Sequence, residues 1–298
     1  MLSRMRALRT IVPGMLLWLA APTLWGQQLR VVDDEQHLLL LLHPAQRIVS
    51  LAPGATAMLF AAGAGAQVVG TSAFSDEPVA ARAIERIGDA QSFDLERILA
   101  LRPDVVVAWA GGTPATLLSR LEAAGLIVYR HRLGRLRDIP ASVRRLGVLA
   151  GTSLQAEAAA LKLQQRIDAL NLRYARAPLA SVLIQVWDRP VYTVGNAEIM
   201  SDVVRSCGDR NVFDDLTESG PAVSVESVLA RDPAIILVLA PDTRTAQEWQ
   251  AHWMSFPSLR AVRTGAVLEW TDQRLSRLGP DIIDATEALC HALRHEAS

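Results

Sequence analysis

Phe74 in SAFSDEP, Trp109 in AWAGG, Trp187 in QVWDRP, Tyr192 in VYTVG, Trp270 in LEWTD and Arg277 in LSRLGP share a setting: each follows or closes a short apolar run. Rings supply contact area at small entropic cost, and a guanidinium supplies directed hydrogen bonds, so together they suit a flat, partly apolar ligand held in a crevice. Taken singly, each ring is read first as core, because large apolar side chains are usually buried. Groups for bond-making chemistry are missing from the pattern. No GxxxxGK[ST], HExxH, GxSxG or paired CxxC occurs. GAGAQVVG, Gly63 to Gly70, has the wrong glycine spacing for a dinucleotide loop and reads as a helix C-cap. Among six histidines only His291 and His295 have ligand spacing, and at the end of the chain they read as solvent-facing. The expectation is a protein that binds without a catalytic step, with no metal site and no resident cofactor.

Such residues need elements that bring strand ends together. RIVSLA, ATAMLFAAGA and QVVGTS read as strand, helix, strand, and the rhythm continues through LERILALRP, DVVVAWA, TPATLLSRLEAAG and LIVYRH. This is the pattern of βαβ units in a parallel sheet, whose ligand crevice lies beyond the carboxyl ends of the strands. Unbroken runs such as DVVVAWA indicate strands covered on both faces. From Thr152 to about Ala177 the chain has strong helix formers, capping candidates at Thr152 and Ser153, and Pro178 just beyond. A helix of about 24 residues, roughly 36 Å long, is expected to link two lobes. A second α/β series follows through SVLIQVWD, YTVG, EIMSDVVRSCG, VSVESVLARDPAIILVLA and PDIIDATEALCHALRHEA.

The two series share one stretch. DLERILALRPDVVVAWA, Asp94 to Ala110, matches SVESVLARDPAIILVLA, Ser224 to Ala240, over 17 positions at a constant offset of 130, aligning Glu96 with Glu226 and Pro103 with Pro233. Helix-proline-strand junctions are common, but an ungapped match placed symmetrically about a long helix indicates duplicated lobes. The fold class expected is α/β: two similar Rossmann-like lobes with parallel sheets, joined by one long helix. The boundaries expected are 1–26 for an export signal, 27–150 for the first lobe, 151–178 for the connecting helix and 179–298 for the second.

Composition bounds the partners. The 298 residues carry 30 basic and 31 acidic side chains, and every basic one except Lys162 is an arginine, spread along the chain. This excludes the concentrated positive field of a nucleic-acid surface. Arg4, Arg6 and Arg9 precede an apolar run from Ile11 to about Ala21, interrupted by Pro13 and Gly14 and short for a membrane span, as in a cleavable secretory signal. No cysteine lies near the cleavage region. The two cysteines, Cys207 and Cys290, form an even pair in a chain read as exported; a disulfide is expected over two buried free thiols.

RIVSLAPGATAMLFAAGAGAQVVGTSAFSDEP, IERIGDAQSFDLERILALRPDVVVAWAGG, PVYTVGNAEIMSDVVRSCGDRNVF, VSVESVLARDPAIILV and LSRLGPDIIDATEALCHAL together resemble the helical-backbone substrate-binding proteins of ATP-driven (ABC) importers, and within them the periplasmic cobalamin-binding proteins. The resemblance covers most of the chain after the export segment, in order. It implies a periplasmic, monomeric protein that captures cobalamin or a related corrinoid between its lobes and delivers it to an inner-membrane permease dimer with its ATPase, with little lobe movement about a rigid helix. Residue by residue, it implies that Phe74, Trp109 and Arg277 bind ligand, with an acidic partner at Asp272 or, in the other local register, Gln273. It implies that Glu96 and Glu226 face arginines of the permease and that Cys207 pairs with Cys290. Trp187 and Tyr192 are further ligand-binding candidates. The chain departs from the family's best-known member, which has pocket tryptophans where this sequence has Ala90 and Gly220. Relatives of this fold that bind haem would offer a Tyr or His ligand, for which Tyr192 and His131 are candidates, and siderophore binders would lean on clustered arginines. The alternatives are therefore haem or ferric-siderophore capture and, in a different class, an exported α/β enzyme.

Overall fold

A computed structural model describes residues 28–177 and 179–296; the export segment expected over 1–26 lies outside the described residues. Strands Ile48–Ser50, Val68–Thr71, Val105–Trp109 and Ile127–His131 form a parallel sheet in the spatial order second, first, third, fourth. Strands Ser181–Gln185, Arg210–Asn211, Ile235–Leu239 and Val267–Trp270 form another parallel sheet in the same order. Valine, isoleucine and leucine fill the central strands because helices cover both faces: Val105, Val106, Val107 and Ala108 are wholly buried, as are Ile236, Leu237 and Val238.

The duplicated stretch folds the same way twice. Helix Leu95–Ala100 is capped by Asp94, whose carboxylate accepts from the Arg97 amide at 3.0 Å. Helix Val225–Arg231 is capped by Ser224, whose hydroxyl accepts from the Ser227 amide at 3.2 Å. Each cap satisfies one amide that the first turn leaves without a helical partner. Both helices end at a left-handed residue, Arg102 at φ 47° and Asp232 at φ 40°, each followed by proline and then the central strand. An arginine gains nothing from that conformation, so its presence there reflects the path of the turn.

The linking helix runs Ser153–Tyr174, 22 residues, or about 33 Å. Thr152 occupies its N-cap position but does not cap it with its side chain; the hydroxyl instead donates to the Ala62 carbonyl at 2.6 Å, tying the helix start to the first lobe. The helix is clamped on both sides. Toward the first lobe it packs on helix Asp138–Ala150, where Gly147 is so close to Ala156 that an added Cβ would sit 2.2 Å from the alanine methyl, and Arg144 binds Glu157 at 2.8 Å. Toward the second lobe, Arg166 pairs with Glu287 at 3.1 Å and with Asp284, both on helix Ile282–Glu296.

Cys207, at the end of helix Ile199–Ser206, is joined to Cys290 by a disulfide with Cα atoms 4.8 Å apart, stapling the last helix to the second lobe. Three elements depart from the expected rhythm. An antiparallel hairpin, Leu29–Val32 with Leu38–Leu41, precedes the first sheet. Helix Asp138–Ala150 stands between that sheet and the linking helix. YTVG contributes only the two-residue strand Val191–Tyr192, which pairs antiparallel with Ala222–Val223 outside the parallel sheet. No helix among the described residues is long and apolar enough to cross a membrane.

Candidate functional site

The carboxyl ends of the strands converge on two adjoining cavities. One, of about 240 Å³, is walled by Ala52 to Ala55 at the start of helix Pro53–Ala61, by Trp109 and His131 at the ends of neighbouring strands, and by Gln273, Ser276, Arg277 and Leu278 after the last strand. The other, of about 280 Å³, shares Trp109 and Leu278 and adds Arg132 from the first lobe and Glu198, Ser219 and Gly220 from the second. Both draw walls from both lobes, and the crevice lies where parallel α/β topology places a ligand site.

Trp109 is one of two residues, with Leu278, that the two cavities have in common. Its strand is buried through Ala108, and at the strand end the indole folds back over the glycines of AWAGG: a Cβ on Gly112 would lie 2.1 Å from the ring. The ring rests on backbone on one side and remains 37% exposed. A large, partly exposed aromatic on a rigid support is a strong contact surface for an apolar ligand.

Arg277 lies across the crevice. Its guanidinium donates to Asp281 at 2.7 Å, which fixes its direction while leaving other donors free of that bond. The segment beyond it meets the first lobe without intervening side chains. A Cβ on Gly54 would sit 2.1 Å from the Arg277 carbonyl oxygen, and Leu278 takes a left-handed φ of 57° there. Asp272 and Gln273 have different settings. Asp272 binds Arg274, with Nε 2.9 Å from Oδ1, and hydrogen bonding from Arg274 lowers its carboxyl below the ordinary range. The cavity wall beside Arg277 carries Gln273 instead, whose amide donates to the carbonyls of Ala240, Pro241 and Thr271.

Phe74, Trp187, Tyr192, Trp270, Glu96 and Glu226 do not line those two cavities. Phe74 sits at φ 63° and is 75% exposed, at the tip of a turn held by buried hydroxyls and by Arg86. The Thr56 hydroxyl lies 2.9 Å from Ser50 Oγ and 3.2 Å from Ser75 Oγ, the Ser72 and Ser75 hydroxyls lie 3.0 Å apart, and Arg86 donates to the carbonyls of Ser72 and Ser75. That network presents Phe74 outward on a fixed base. Trp187 and Tyr192 pair across a hairpin in the second lobe, Tyr192 donating its amide to the Trp187 carbonyl at 3.1 Å. Trp187 packs edge-on against Trp249 at 6.0 Å. Trp270 is half-buried against the core. Glu96 and Glu226 are exposed in the first turns of their helices. Because those helices run antiparallel to the strands that follow, their first turns lie toward the strands' carboxyl ends.

His131, a haem-ligand candidate by sequence, lines the first cavity, and Arg132, which the sequence did not single out, lines the second; the end of LIVYRH was the available signal for both. The surroundings of His131 are built by residues about a hundred positions away. Asp34, in the loop of the N-terminal hairpin, accepts from Tyr129 Oη at 2.7 Å, from the Arg132 amide at 3.1 Å, from Ser142 at 2.9 Å and from Arg145 at 2.9 Å, and lies 2.7 Å from His131 Nδ1. Burial alone would raise the Asp34 carboxyl, but hydrogen bonding and charge from His131, with Tyr129 and Arg145, outweigh it and hold it well below the usual carboxylate range. The same burial and the adjacent carboxylate push the Tyr129 hydroxyl well above its ordinary value.

A two-lobed parallel α/β chain with a cleft over its strand ends and a single clamped linking helix is a ligand-capturing protein by architecture. Residues 48–274 match the periplasmic binding protein family, and the chain belongs to that family. It is 37% identical over 254 residues to the vitamin B12-binding protein of Pectobacterium atrosepticum, covering 83% of this chain and 88% of that one. The crystal structure of the periplasmic vitamin B12 binding protein of Vibrio cholerae superposes with a TM-score of 0.77 at 31% identity, covering 86% of this chain and 99% of that one. A periplasmic heme-binding protein from Roseiflexus has the same fold, with a TM-score of 0.73 at 23% identity over 85% of this chain and all of the other.

Proposed function

We propose that this chain is a periplasmic binding protein that captures cobalamin or a related corrinoid between its lobes and delivers it to an inner-membrane ABC permease dimer with its ATPase. The observation that carries the reading is the continuous inter-lobe crevice, with Trp109 common to both of its cavities and Arg277 opposite, in a chain 37% identical to a vitamin B12-binding protein. A corrin is a flat apolar macrocycle rimmed by carboxamides. An indole face and a guanidinium fork suit those two parts. Phe74, Trp187 and Tyr192 serve as outlying contacts, and Gln273 stands beside Arg277 as an amide partner in preference to Asp272, whose carboxylate is engaged by Arg274.

The domains divide at 27–150, 151–178 and 179–298, with 1–26 removed on export. The protein acts as a monomer and carries no resident cofactor. Isothermal calorimetry with cobalamin, run beside absorption titrations with hemin and a ferric siderophore, tests the reading: saturable heat and a 1:1 endpoint are expected with cobalamin. No heat with cobalamin and a spectral change with hemin would replace it by haem capture.

Glu96 and Glu226 dock on basic residues of the permease, one from each lobe. Rim charges of this kind govern orientation and association rate more than affinity. Replacing both by alanine is expected to leave cobalamin affinity within about twofold while import into reconstituted vesicles falls by about tenfold; unchanged import would remove the two glutamates from the interface.

A further inference from the structure

We propose that the second cavity, between Arg132 and Glu198, is a subsite for a propionamide arm of the corrinoid rim, and that this pair of side chains selects the amide against the corresponding acid. The inference rests on the corrinoid reading and deepens it from capture to selectivity. Arg132 and Glu198 line the same cavity of about 280 Å³ from opposite lobes. Arg132 follows strand Ile127–His131, and Glu198 stands at the N-cap position of helix Ile199–Ser206, where its side chain makes no capping bond. Contacts beside the cavity hold its walls together. The Leu136 amide, four residues after Arg132, donates to Asp202 Oδ2 at 2.9 Å, and Asp202 is four residues after Glu198. Arg205 holds the other oxygen of Asp202 at 2.7 Å, and a Cβ added to Gly134 would lie 3.2 Å from the Ala197 carbonyl oxygen. The two charged walls are thus paired across the lobe boundary without any lobe movement.

Both groups are accessible and have binding capacity to spare. The Arg132 side chain is 50% exposed and gives Nη1 to Glu35 at 3.2 Å; among the described residues its Nε and Nη2 have no partner. Glu198 accepts from the Ser219 hydroxyl through Oε1, and among the described residues its Oε2 has no partner. A guanidinium only donates and a carboxylate only accepts, so an occupant that satisfies both must accept and donate at once. A primary carboxamide does so: its carbonyl oxygen accepts from Arg132 and its NH2 group donates to Glu198. An ammonium would pair with Glu198 and oppose Arg132. A carboxylate would pair with Arg132 and oppose Glu198, and because Glu35 already offsets Arg132, the three side chains together carry a net negative charge. Rejecting an acid by like charge is selectivity of a kind that an attractive contact alone does not supply. The same repulsion acts on the propionate carboxylates of haem. The cavity opens beside Trp109, the ring proposed to take the corrin face, so the group that enters it must project from the rim, and of the rim amides the propionamides project furthest.

The probes are cyanocobalamin and its b-, d- and e-monocarboxylic acids, each with one rim propionamide hydrolysed to a carboxylate, and the readout is the ratio of acid Kd to amide Kd by calorimetry at neutral pH. Wild-type protein is expected to bind at least one of the acids about tenfold or more weakly than cyanocobalamin, the order that like charge across a cavity produces. In Glu198→Gln that ratio is expected to fall to about one, because the acid meets a donor where it met a like charge. In Arg132→Gln it is expected to widen, because the acid loses its counter-charge. General damage to the cleft would weaken amide and acid alike and leave the ratio where it was. Equal binding of cyanocobalamin and all three acids by wild type, or a wild-type ratio that persists in Glu198→Gln, overturns the amide subsite and leaves corrinoid capture standing. Should the melting curve show Glu198→Gln to be unfolded, a ratio in Arg132→Gln no wider than that of wild type overturns it instead. No binding of cyanocobalamin by wild type overturns the corrinoid reading itself.

Discussion

The two lobes have one topology and are locked by different means. In the first, the N-terminal hairpin, the strand ending at His131 and helix Asp138–Ala150 are gathered by one buried carboxylate, Asp34, through four side-chain partners. In the second, the last helix is held by a covalent bond between Cys207 and Cys290, 83 positions apart in sequence. The ionic lock is adjacent to the cleft, because its histidine is a cavity wall; the covalent lock bridges helices Ile199–Ser206 and Ile282–Glu296, and neither cysteine lines a cleft cavity. The same division runs through the duplicated stretch. Its helix starts, caps and left-handed turns repeat, while its strand ends diverge into Trp109, a cleft wall, and Leu239, packed against the core. The scaffold is common to both lobes, and the strand ends differ.

Breaking the locks gives the largest effects. Replacing Cys207 and Cys290 by serine is expected to cost about 4 kcal/mol of stability on the chain-entropy account of a loop this long, measured by guanidinium unfolding. The unfolding midpoint should fall while cobalamin affinity, measured under folding conditions, stays unchanged. Asp34→Asn strips the charge from a hub that Arg145 and His131 face, and is expected to cost about 3 kcal/mol. Unlike the disulfide variant it should also alter corrinoid binding, since it releases His131; equal effects of both variants on affinity would erase the distinction between the locks.

The strand ends come next. Trp109→Ala is expected to lose about 2 kcal/mol of ligand binding, roughly thirtyfold in affinity, as a rigid aromatic anchor does. Leu239→Ala should leave affinity alone and lower stability instead. If the two behaved alike by calorimetry, the strand ends would not have diverged in role. The smallest effects belong to the repeated caps: Asp94→Ala and Ser224→Ala should each cost about 1 kcal/mol, and near-equality in thermal unfolding would sharpen the match between the halves.

The features that repeat were readable in the sequence because they depend on neighbours. A cap, a helix and a proline turn are set within a few residues, so Asp94 to Ala110 could be laid over Ser224 to Ala240 and both would fold alike. Trp109 was readable for a similar reason, lying at the end of an apolar run whose direction in a parallel sheet is fixed. Asp34 was not. Nothing local distinguishes it from Asp33, and its burial is created by Tyr129, His131, Ser142 and Arg145, between 95 and 111 positions away. That Gln273 lines the cavity while Asp272 is bound by Arg274 likewise depends on Arg274 turning back on the aspartate, a side-chain event that spacing does not encode. Trp187 and Tyr192 follow the same apolar pattern as Trp109, but their segment leaves the parallel sheet for a hairpin, which takes them away from the two cavities.

The contact at Gly54 sets a dimension of the molecule. There the backbone of the second lobe rests on the first helix of the other, and an added Cβ would lie 2.1 Å from the Arg277 carbonyl oxygen. The lobes thus meet at the thickness of a bare peptide. An alanine at position 54 would act as a shim under the Arg277 backbone, so the closeness of the two lobes at this point depends on one hydrogen atom on one α-carbon.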